Sequence, residues 1–364
     1  MKTHANSPSL WDPSQVMSQT SPAMRFFELR MGPHDLLFAQ IPTQDLVRLM
    51  CTCRRVYRLV HETCFDISRL LYPFFGDPSE VECFQRIQAQ TGTLISGSIA
   101  LQYFNRLIYP ESDLDIYAHR VSAAIPVGFI VLNGYTFAPR KSQDPNVFVQ
   151  LCASLEDKPP VASYLGRGIA DVLDFHKGQK KIQLIIATAT PIEIITSFHS
   201  TCVMNILTHD NGYAFYPRST FVTRKALIIE SIGASKEAGR QKYVDRGWEM
   251  VSAPSVSRQS ELGVRMLRWV DDKFTWRMPL CLPRHLASDL SPINSWQLEC
   301  DDDETWTQYS TLSHPALKQE YIVGDPSTFS GIMDDIISKH PTSRTLDIEL
   351  QRAIVQRRAD DSLQ

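Results

Sequence analysis

Long apolar runs are missing from this 364-residue chain. No stretch approaches the ~20 apolar residues that a membrane helix needs, and the run from Leu184 to Ala189 is far too short, so no membrane partner is expected. No lipidation motif and no secretory apolar region are present. Charge of one sign is scarce as well. A formal net charge of -3 removes the blanket attraction to nucleic acid that a basic protein has, which leaves nucleic acid as a partner only through a local basic groove. Also lacking are a P-loop, a dinucleotide fingerprint, a serine-hydrolase elbow, a kinase motif set and any internal repeat.

What is present is an apolar fraction of 43%, enough for a sizeable core in one large domain or two modest ones. The eight cysteines are scattered through the chain, which suits reduced thiols in a cytoplasmic or nuclear protein. Cys51, Cys53, His61 and Cys64 have the makings of a zinc set, but positions 51 and 53 diverge on a helix, so core or interface roles are expected instead.

The chain reads as α+β in six segments. Residues 1–24, rich in Ser, Pro, Gln and Asn, form a disordered leader. Residues 25–75 carry Leu36, Leu37, Ile41, Leu46, Leu49, Met50, Val56, Leu59 and Val60 at helical spacing, punctuated by Pro33, Pro42 and Pro73. Residues 78–190 alternate helix and strand over a mixed sheet. Residues 191–250 are a helical extension, with one helix from Pro191 through Leu207 and another from Phe221 to Ser231. Residues 251–340, with more Pro, Ser and Trp and an acidic Asp301–Glu304 run, wrap as an irregular extension. Residues 341–364 are a polar helix or tail.

Within the third segment, Leu94 to Ser96 reads as a strand, Gly97-Ser98 as a turn into a helix, and Leu114 to Tyr117 as a second strand. On a strand, residues i and i+2 share a face, so Asp113 and Asp115 stand side by side while Leu114 and Ile116 enter the core. Two carboxylates held that close call for a cation. Gly97 permits close backbone approach to a phosphate, Ser98 supplies a hydroxyl, and the helix that follows points its N-terminus at the anion. Competing with this is a plainer reading in which Asp113 is a turn or cap residue and Asp115 a solvent-facing strand residue.

Ile95-Ser-Gly-Ser and Ser112-Asp-Leu-Asp-Ile, in that order on strand, helix and strand, resemble the signature of the nucleotidyltransferase fold typified by DNA polymerase β. The resemblance implies that Asp113 and Asp115 hold Mg²⁺ and that Gly97 and Ser98 bind a nucleoside triphosphate. Active members carry a third carboxylate on a later strand, where this chain has Ile182-Gln183-Leu184. An amide is a poor Mg²⁺ ligand and no general base, so loss of transfer activity is expected. One substitute is offered by register: a hairpin turning on Gly178-Gln179 pairs Asp174 with Gln183 on one face, so Asp174 is a candidate displaced third carboxylate. A plain Asp-Gln hydrogen bond is the alternative.

Pro33, Asp35, Leu36, Leu37, then Pro42, Asp45, Leu46, Arg48, Leu49, then Cys53, Arg54, Arg55 resemble an F-box over about 30 residues, with a middle roughly one turn short. That resemblance implies a ubiquitin-ligase adaptor acting through residues 25–65. Residues 24–250 also resemble a family of uncharacterised basidiomycete fungal proteins, through Thr91 to Ser98, Tyr109 to Asp115, Lys181 to Ile185, Ser197 to Asn205, Tyr216-Pro-Arg and Lys242 to Trp248. His199, Cys202 and Asn205 fall at helical spacing and could line a cleft, although an apolar face with a polar handle explains them too. Lys180, Lys181, Arg218, Arg224 and Lys225 are candidate phosphate contacts or surface charges.

Overall fold

A computed structural model of the chain describes residues 33–109, 111–155, 168–229, 234–252, 262–280, 287–302, 304–340 and 346–361. The expected leader at 1–24 lies outside the described residues. Two compact units result, residues 1–64 and 65–364.

Among its described residues the first unit has three short helices, α1 (Pro33–Gln40), α2 (Thr43–Met50) and α3 (Arg54–Cys64). Prolines set the breaks: Pro42 at φ -56 and ψ 147 cannot continue α1 and delivers the chain into α2. Phe38, Leu46, Met50, Val56 and Val60 are buried. The boundary falls at Cys64 rather than near residue 75, because the next helix, α4 (Ser68–Phe75), belongs to the second unit. Its Phe75 packs on Phe84 and Phe129 at ring separations of 4.9 and 5.3 Å.

The second unit continues with α5 (Pro78–Thr91), β1 (Leu94–Ser96), α6 (Gly97–Asn105), β2 (Leu114–His119), α7 (Ala124–Leu132), β3 (Thr136–Phe137), α8 (Val147–Leu155), β4 (Ile169–Lys177), β5 (Lys180–Ala187) and α9 (Pro191–Thr196). Then come β6 (Asn205–Leu207), β7 (Asn211–Ala214), β8 (Lys225–Leu227), α10 (Ala234–Val244), β9 (Glu249–Val251), β10 (Leu267–Trp269) and β11 (Trp276–Pro279). Last are β12 (Ser295–Cys300), β13 (Thr305–Gln308), β14 (Ser310–Leu312), β15 (Tyr321–Val323), α11 (Pro326–Lys339) and α12 (Asp347–Asp361).

The main sheet has the order β11-β7-β6-β1-β2-β5-β4-β3, and it is mixed: β2 runs antiparallel to β1 and parallel to β5. β4 and β5 form a hairpin through Gly178 at φ +58, with Asp174 opposite Gln183 as the turn requires. One face of β2 and β5 carries fully buried Leu114, Ile116, Ile182 and Leu184. Along the other face the character changes. Tyr117, Ile185 and Val172 belong to an apolar cluster with Leu94, Ile195 and Trp296, whereas Asp115, Gln183 and Asp174, nearer the start of β2 and β5, are only partly covered. The charged end of this face is the place for a site.

Three expectations need correction. The helix from Pro191 stops at Thr196, and residues 205–214 become β6 and β7, which widen the sheet beyond β1. Thr208 Oγ1 accepts from Asn211 N and Asp210 N at 2.9 and 3.2 Å, turn chemistry that outweighs helical spacing. In place of a helix from Phe221, a single turn over Arg218–Val222 leads into β8, paired in parallel with β9. The stretch from 251 to 340 is more regular than its composition suggests. It supplies β11 to the main sheet, a second sheet β10-β12-β13, the pair β14-β15 and helix α11. Buried Arg268 helps organise it, donating to Asp272 Oδ2 at 2.5 Å and to the carbonyls of Leu262 and Phe215 at 2.9 and 2.8 Å. The acidic run lies between β12 and β13 with Asp301, Asp302 and Glu304 exposed, and residues 347–361 form α12.

Candidate functional site

Parallel pairing of β2 with β5 sets Leu114 beside Ile182, and antiparallel pairing of β5 with β4 sets Lys181 beside His176. Lys181 is thereby flanked by acids from both neighbouring strands. Its Nζ lies 3.4 Å from Asp113 Oδ2 and 3.3 Å from Asp174 Oδ1. On the outer side, Arg140 donates from Nε and Nη2 to Asp174 Oδ2, both at 3.1 Å. The loop carrying Arg140 is fixed by Gln143, which donates to buried Asp171 at 2.8 Å, while Gln150 and Ser154 of α8 donate to the other Asp171 oxygen at 2.7 Å each. A row of alternating charge therefore crosses three strands: Arg140, Asp174, Lys181, Asp113.

Asp174 is where the hairpin register predicts it, but both of its oxygens are engaged. Gln183 Nε2 donates to Oδ1 at 2.5 Å, in addition to the contacts with Lys181 and Arg140. Burial by itself raises the Asp174 pKa, yet the Gln183 hydrogen bond and the two cations outweigh it and hold the carboxyl below its ordinary value. Among the described residues no three His, Cys, Asp or Glu side chains gather where they could hold a metal ion, and this covers the Cys51, Cys53, His61 and Cys64 set.

Asp115 differs from its neighbours. Burial first, and the Asp113 charge second, push its pKa up to about 7, against the opposing pull of Lys242 and Lys181. It pairs in register with Ser96 on β1, and its carboxylate packs against the turn into α6. Gly97 sits at φ +66, and a Cβ there would collide with Asp115 Oδ2. The turn thus needs glycine to seat Asp115, whatever else it binds. Ser98 is buried at the first turn of α6. As a donor set for Mg²⁺, Asp113 and Asp115 offer two hard oxygens whose repulsion a cation relieves. That number suits an ion completed by phosphate oxygens and not one caged by protein alone.

α10 supplies the roof, which composition and spacing do not reveal. The helix ends at Val244, Gly247 follows at φ +92, and buried Trp248 then donates from Nε1 to Thr220 O at 2.9 Å. This anchor turns Arg246 back so that its guanidinium lies 3.9 Å from the centre of the Tyr109 ring and 5.4 Å from that of Tyr243. Desolvation and the Arg246 charge lower the Lys242 pKa, while Asp115 and Asp113 act against them, so Lys242 belongs to the field of the acidic pair. Arg246 Nη1 and Ser112 Oγ are buried without a hydrogen-bond partner.

The other candidates disperse. His199, Cys202 and Asn205 do not share a helix; they occupy the turn after α9, a short turn over Thr201–Val203 and strand β6. Ser200 Oγ lies 2.8 Å from His199 Nδ1 and 3.4 Å from Cys202 Sγ. Burial pushes the Cys202 thiol up to about 12 and His199 down to about 4, so a reactive thiolate is not maintained at neutral pH. Lys180 lies over the Phe74 ring, Arg224 over Trp248, and Lys225 pairs with Glu249 at 3.0 Å. Arg218 is exposed. Comparisons of the chain with protein families, with curated proteins and with solved structures found no match in any of the three.

Replacing Gly97 by Ala forces a side chain into the left-handed region and against Asp115. Urea denaturation of Gly97→Ala should show a loss of roughly 1–3 kcal/mol, part of it recovered when Asp115→Gly is added. A Gly97→Ala protein as stable as the wild type would contradict this packing.

Proposed function

We propose that the second unit is a nucleotidyltransferase-like protein without transfer activity, which binds the phosphates of a nucleoside triphosphate above Asp113 and Asp115. One observation carries this reading. Two buried donors, Ser112 Oγ next in the chain to Asp113 and Arg246 Nη1 over the Tyr109 ring, lack hydrogen-bond partners among the described residues, and buried donors are normally satisfied. Oxygen-rich phosphates would satisfy them, with Lys242 adding charge and the start of α6 adding backbone donors. The order of strand, Gly97-Ser98 turn, helix and Asp-x-Asp strand supports the same reading, as does a mixed sheet with β2 between β1 and β5.

Asp113 and Asp115 are the residues that would hold Mg²⁺. When bound, the ion would neutralise phosphate charge. The chain's own residues orient the ligand and stop short of transfer: Gln183, neutral and committed to Asp174, takes no proton from an attacking hydroxyl. Asp174 is saturated by three donors and serves the charge row instead.

A second reading concerns the first unit. Leu36 and Leu37 of α1 are 75% and 44% exposed, and Leu49 of α2 is partly exposed, which favours an F-box-like adaptor surface docking a ubiquitin-ligase subunit. The two readings concern separate units and are compatible.

Calorimetry of ATP and GTP with Mg²⁺ tests the first. The wild type should bind, Arg246→Ala should weaken binding on the order of ten- to hundredfold, as expected for a charged hydrogen bond, and Asp113→Asn with Asp115→Asn should change the heat. Equal heats for all three proteins reject the site. For the adaptor reading, the full chain should co-elute with the ligase adaptor subunit in gel filtration, and Leu36→Asp with Leu37→Asp should abolish co-elution; if the double variant still co-elutes, these leucines are not the contact.

A further inference from the structure

The charge row contains its own cation. We propose that Lys181 is a tethered cation that fills the metal position of this site and keeps free divalent ions out of it. Three observations support the assignment. The ammonium lies within 3.4 Å of one carboxylate oxygen from each side, Asp113 Oδ2 and Asp174 Oδ1, a bridging place that a metal ion would take if it were to recruit Asp174. The position is imposed by the sheet: Lys181 and Gln183 share a face of β5, the strand between the two acids, so the lysine cannot leave the row without giving up both contacts. The carboxylate it contacts is fixed as well, because Arg140 and Gln183 hold Asp174 in place beside it.

A divalent ion entering this row must displace an ammonium that is already linked to the chain, so its binding is opposed by an intramolecular competitor of high effective concentration. Asp115 stands outside the row, and no such ion pair is seen for it among the described residues. It is open to a ligand that brings its own cation, which would take Asp113 as well by displacing Lys181, in agreement with a donor set that suits Mg²⁺ only together with phosphate. The inference rests on reading Asp113 and Asp115 as a ligand site, and it goes further in stating that the ligand-free protein takes up no metal.

Manganese titration of the full chain, followed by the electron paramagnetic resonance signal of free Mn²⁺ and without nucleotide, tests it. Wild type and Lys181→Arg should leave the signal unchanged into the millimolar range. Lys181→Met should bind one ion within that range, and adding Asp113→Asn should remove that binding. Should Lys181→Met fail to fold by circular dichroism, Lys181→Gln carries the comparison. Wild-type protein that binds Mn²⁺ as tightly as the Lys181 variant overturns the proposal, as does a folded variant that binds none. An intact manganese result with no nucleotide heat in any protein would remove the nucleotide reading and leave the tethered cation standing.

Discussion

The ammonium of Lys181, held between carboxylates that arrive on different strands, is the contact on which the charged end of the sheet depends. Three acids, Asp113, Asp115 and Asp174, share one region of one face, and two like charges about 4 Å apart repel by on the order of 4 kcal/mol at an effective dielectric of about 20. Partial exposure of the row screens this interaction. Lys181 offsets it from between Asp113 and Asp174. Arg140 extends the same solution outward, and Lys242 of α10 adds a further positive charge to the field of Asp115.

The same face explains why the site is where it is. Toward the ends of β2 and β5 it is closed by an apolar cluster that includes Tyr117, Ile185 and residues from the C-terminal region such as Trp296. Near their starts, Asp115 and Gln183 keep partial access to solvent. Charge is tolerated only at that open end, and the Gly97 turn lets the Asp115 carboxylate lie against the start of α6. Gln183 completes Asp174 and supplies no third charge there.

Local signals made the centre of this arrangement readable in advance. The Gly178-Gln179 turn set the hairpin register and therefore the Asp174–Gln183 pair, and alternation around Asp113 and Asp115 placed Leu114 and Ile116 in the core. What stayed hidden depends on distant partners. β6 and β7 are three- and four-residue strands whose helical spacing was overruled by the Thr208 turn and by pairing with β1, and Gly212 on β7 is packed closely against Tyr103 and Phe104 of α6. Arg140 reaches the site through Gln143 and buried Asp171, and Arg246 through the Trp248 anchor. Neither route has a short-range signature. Lys181 was legible as a cation, but its place between two acids follows only from a β2 to β5 pairing that no local pattern announces.

The most direct test of this account is the interaction energy between Lys181 and Asp174, from a double-mutant cycle of Lys181→Met and Asp174→Asn in urea denaturation at neutral pH. A favourable coupling on the order of 1 kcal/mol is predicted, shrinking at high salt as a partly exposed charge row requires. Strictly additive effects of the two substitutions would contradict it.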